Sequence, residues 1–190
     1  IEVYITALSI KPDSSEVYFN VGSSLKGITF TKTNLALQKI INFLLDKKTL
    51  VRPSDISRAS ISLLKLEPKL YKYLVSKNID NKPLKILEVI SDLSNLPLLL
   101  NLMSVCPITD IELECLLRRI RESLLTEISY LSKTPELLKF QSALALQCFT
   151  NEYIYNNSEY EDKALEDLDE LVRLTINNNE QPKPQFILCL

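Results

Sequence analysis

Histidine is absent from this chain of 190 residues. That removes the commonest general base, the usual activator of a serine or cysteine nucleophile, and the commonest metal ligand. Glycine is nearly absent: only Gly22 and Gly27 occur. A phosphate-cradling loop or a G-x-G-x-x-G turn needs glycines in close series, so no nucleotide fingerprint is present. So little glycine also argues against tight hairpins and a β-rich fold. A dominant charge is missing too. With 22 basic and 24 acidic residues the net charge is −2, which gives no electrostatic basis for nucleic acid or an anionic membrane as a partner. The longest apolar run, LPLLLNLMSV at 96–105, is too short to span a bilayer, and Ile1-Glu2-Val3 lacks the basic start of a signal peptide. The expectation is a cytoplasmic protein with no nucleic-acid or membrane partner.

The four cysteines, Cys106, Cys115, Cys148 and Cys189, form no C-x-x-C pair. Without histidine a zinc site is not expected. Each lies in apolar sequence, as buried free thiols of a reducing compartment would. The chain begins without methionine and ends on Phe186-Ile187-Leu188-Cys189-Leu190. An apolar end normally packs on something, so both ends read as cuts in a longer protein.

What is present, almost throughout, is the 3.6-residue period. Residues 33–46 carry Leu37, Ile40, Ile41 and Leu44 on one face. Pro53-Ser54-Asp55 opens a helix to about Leu66, and Pro68 lets another begin. Leu84, Leu87, Ile90 and Leu93 mark one more before Pro97. Thr109-Asp110-Ile111-Glu112 reads as a capping box with Thr109 as the cap. The helix that it starts should run to about Leu131, with Leu113, Leu116, Leu117, Ile120, Leu124, Ile128 and Leu131 inward. Thr134-Pro135-Glu136 opens the next. A last amphipathic helix sets Ala164, Leu165, Leu168, Leu171 and Val172 against Asp162, Glu166, Asp169 and Glu170, bracketed by the loops Asn156-Asn157-Ser158 and Asn177-Asn178-Asn179. The count is about ten helices and no convincing strand, an all-α chain.

Residues 1–27 resemble a remnant of tetratricopeptide repeats. Tyr4, Ala7, Leu8 and Ile10 share a face, Pro12 closes that unit, and Tyr18, Val21, Gly22 and Leu25 open the next. Gly22 would let two helices approach closely. The small residue expected opposite it falls near Asn34, which departs from the pattern. The expected organisation is this tetratricopeptide-like pair, a connecting helix in 28–52, and an all-helical bundle domain in 53–190.

Few residues invite chemistry. A lysine could stand in for the missing base, but Lys139 and Lys163 lie among ordinary surface charges. Glu166 and Glu170 sit one turn apart, the spacing of a solvated face. Arg118, Arg119 and Arg121 could clamp a carboxylate or phosphate. Glu112, Glu114 and Glu122 balance them, which favours a solvated face instead. The tyrosines lack the basic–aromatic interleaving of a strand-binding platform. The segment KFQSALALQCFTNEYIY, Lys139 to Tyr155, stands apart. It is apolar on most sides, yet contains Gln147, Thr150, Asn151 and Glu152. Gln147, Thr150 and Asn151 fall on one helical face. Buried amides need partners, since an unpaired one costs roughly 1–3 kcal/mol. Either these groups bond loop backbone and neighbouring helices, or they face a groove or a second domain. Gln147, Thr150, Asn151 and Glu152 are therefore the candidate interaction residues.

FQSALALQCFTNEYIY, with SDLSNLPLLLNLMSVCPITDIELE before it and QPKPQFILCL after it, resembles a bacterial family. These are tetratricopeptide-repeat proteins carrying a class I S-adenosylmethionine-dependent methyltransferase domain, and bacterial protein-lysine methyltransferases are similar through the same helical middle region. The resemblance implies an order: repeats, this helical region, then the catalytic domain. The family's cofactor loop is a glycine-rich strand-to-helix turn that nothing here matches. So no catalytic, cofactor or metal residue is assigned, and S-adenosylmethionine is expected only in the absent domain. The implied role is a non-catalytic region that links repeats to catalytic domain and positions a protein or peptide. The alternative is a freestanding peptide-binding repeat adaptor or a dimerisation module, including a homodimer.

Overall fold

The computed structural model describes residues 1–47, 49–75, 85–126, 135–150 and 158–180. Among them the chain is all-α, with ten helices and no strand. In order these are α1 (Glu2–Ile10), α2 (Ser15–Ser24), α3 (Leu35–Lys47), α4 (Pro53–Leu64), α5 (Pro68–Leu74), α6 (Ile86–Ser94), α7 (Pro97–Val105), α8 (Ile111–Thr126), α9 (Pro135–Thr150) and α10 (Glu159–Asn177).

Prolines set four of the ten starts. Pro53, Pro68, Pro97 and Pro135 each occupy the first helical position, where a missing N–H costs nothing and φ is already helical. Other starts use side-chain caps. Asn34 Oδ1 accepts from Leu37 N at 2.9 Å and caps α3. Asp110 Oδ1 accepts from Leu113 N at 3.0 Å and caps α8. The cap of α8 is thus Asp110 and not Thr109, and Glu112 reaches Lys65 Nζ at 2.7 Å rather than closing a box.

The core forms around α7. Leu98, Leu99, Leu100, Leu102 and Met103 are buried, and α7 touches α3, α4, α6 and α9. A helix with neighbours on most sides must be apolar on most sides, which is why 96–105 reads as a greasy run. α6 and α7 meet at 91° across Asn95-Leu96. No single described helix is long and apolar enough to cross a membrane.

At the N-terminal end α1 pairs with α2, and α2 with α3. Tyr18 stacks on Phe43 with ring centroids 4.3 Å apart. Gly22 does permit a close approach, since a Cβ there would come within 3.0 Å of Val51 Cβ. Its neighbour is Val51, beyond the end of α3. The position near Asn34 is occupied by a helix cap instead.

The apolar stripes expected on α3 and α8 are inward: Leu37, Ile40, Ile41, Leu44, Leu113, Leu116, Leu117, Ile120 and Leu124 are buried. Ile128, Leu131 and Leu84 lie outside the described residues. On α6 the buried set is Ile86, Val89, Ile90 and Leu93, while Leu87 faces out. On α10 only Leu168 of the expected stripe is fully buried. Among the described helices that one packs chiefly on α8.

Candidate functional site

α9 lies against α6 and α7. Leu137, Phe140, Ala143 and Leu144 are buried there, while Leu146 and Phe149 point outward. The segment is therefore covered on part of its circumference rather than all of it.

Gln147 is only 3 % exposed. Its amide orientation follows from its surroundings, which offer carbonyls on one side and an N–H on the other. Oriented to match, Nε2 donates to Met103 O at 3.2 Å and to Cys106 O at 3.0 Å, and Oε1 accepts from Ile108 N at 3.0 Å. The last carbonyls of α7 have no partners in their own helix. Gln147 supplies donors to them and also holds the turn that leads into α8. One side chain of α9 thereby fastens the exit of α7. Of the two readings of this residue, the geometry is the internal one.

Thr150 does not join it. Its Oγ1 donates to Leu146 O, one turn back in α9, at 2.9 Å. Asn151 and Glu152 lie outside the described residues. A continuous polar stripe is not formed by the two candidates that are described, because one faces inward and the other closes on its own backbone.

Beside Gln147, Cys148 faces a narrow crevice shared with Leu117, Arg118, Arg121 and Leu144. Burial pushes its thiol pKa up; Arg121 pulls the other way and Glu161 adds to the rise. Cys106 is buried and also raised, mainly by burial. Cys115, in contrast to the expectation, is exposed. Its position on α8 falls off the apolar stripe that Leu113, Leu116 and Leu117 form.

Arg121, half-buried, reaches across to α10. Its Nη1 donates to Glu161 Oε1 at 3.1 Å, with side-chain exposures of 14 % and 5 %. Glu161 Oε2 accepts from Ser158 N at 3.0 Å, and Ser158 Oγ accepts from Glu161 N at 3.2 Å, a complete capping box for α10. Ser158 Oγ also donates to Glu122 Oε1 at 3.2 Å. This network ties α10 to α8. Reading Ser158 as loop missed it, although S-x-x-E ahead of an apolar period is the signature of such a box. Arg118, by contrast, is exposed. Gln141, 1 % exposed, has no hydrogen-bond partner for either amide atom among the described residues.

Among the described residues no three His, Cys, Asp or Glu side chains gather as a metal-binding group. The polar groups that the fold brings together make helix ends and a helix–helix seam. No family model, no curated protein and no solved structure matches this chain.

Proposed function

We propose that this chain is a non-catalytic helical region of a repeat-containing, S-adenosylmethionine-dependent methyltransferase. It joins the repeats to the catalytic domain and helps position a protein substrate or partner subunit. The observation that carries this reading is Gln147. It is a polar residue at the heart of the family-like segment, and its amide is wholly engaged in locking α7, α8 and α9 to one another. A frame of that kind holds flanking parts in fixed relation. The helix pair α1–α2, with Gly22 against Val51, supports attachment of repeats at that end.

Two tests bear on it. Titration of S-adenosylmethionine into the chain by calorimetry should show no saturable heat, and saturable binding contradicts the reading. The coding sequence after Leu190 should supply a strand and a glycine-rich loop within about 100 residues, the scale of one domain. A stop codon or further repeats there favours the second reading, a freestanding adaptor that binds a peptide. The open apolar face of α10 speaks for that one.

A further inference from the structure

We draw no further inference here: the strongest candidate, the open groove between α8 and α10, is lined by one cation, Lys163, and one carboxylate, Asp167, so its charge selects no occupant and nothing in the structure shows what covers it.

Discussion

α9 reads as a helix apolar on most sides with a few polar residues in it, α10 as an amphipathic one, and the fold covers the first far more than the second. α9 has α6 and α7 against it. Of its two buried amides, Gln147 finds three backbone partners on α7 and the following turn, while Gln141 has none among the described residues. α10 rests chiefly on α8. Its anchoring is equally polar, through Arg121, Glu161 and Ser158, but its apolar stripe is half open. The difference shows that an apolar period states which face wants to be covered, not whether this chain covers it. Coverage depends on how many neighbours the topology supplies.

Substitutions can sharpen that contrast. The largest effect belongs to the closed region. Phe140 is fully buried on α9. Phe140→Ala should cost about 3–5 kcal/mol by urea unfolding, through lost transfer energy and the cavity left behind. Next comes the polar anchor of α10. Arg121→Met leaves Glu161 buried without its cation and should cost on the order of 3 kcal/mol. Melting followed by hydrogen exchange should show α10 losing protection before α7 does. Gln147→Ala strands two carbonyls and one N–H, and about 2 kcal/mol is expected. The smallest change is on the open stripe of α10. Leu174→Ser should alter stability by less than about 0.5 kcal/mol, because the side chain is already in water. A large loss there would mean that α10 is covered, and the contrast with α9 would fail.

A pH scan tests the closed region separately. Burial raises the thiol pKa of Cys106 and of Cys148. The folded state therefore keeps these protons to higher pH than the unfolded chain. Their stabilising contribution is complete below the ordinary thiol value of about 8.5 and is lost as pH rises through the folded-state value. Melting temperature should fall on the alkaline side, and less steeply in Cys148→Ala.

Much of this frame was legible from the sequence. Proline starts, missing glycine and the 3.6-residue period place the helices, because those signals act within a few residues of chain. The inward faces of α3 and α8 were legible for the same reason. The site was legible only in part. Gln147 stood out as a buried amide in need of partners, but nothing local says that its partners are Met103, Cys106 and Ile108, some forty residues earlier. Asp110 rather than Thr109 caps α8 because the backbone turns one residue later, and either side chain could accept the bond. Glu161 looked like one more surface acid on a charged helix. Its burial comes from Arg121, forty positions away, and no period encodes a pairing of that kind. The openness of Leu171 and Leu174 was illegible too, since an apolar stripe looks the same with or without a neighbour to cover it.

The central claim is that the polar core of α9 is an internal fastener for the end of α7. The most direct measurement is the exchange rate of the Ile108 amide, which donates to Gln147 Oε1. In the native chain it should exchange with the slow amides of α7, although Ile108 lies outside any helix. In Gln147→Ala its protection should fall by about tenfold or more while the amides of α10 keep theirs. Native Ile108 exchanging as fast as an exposed loop, unchanged by the substitution, would contradict the account.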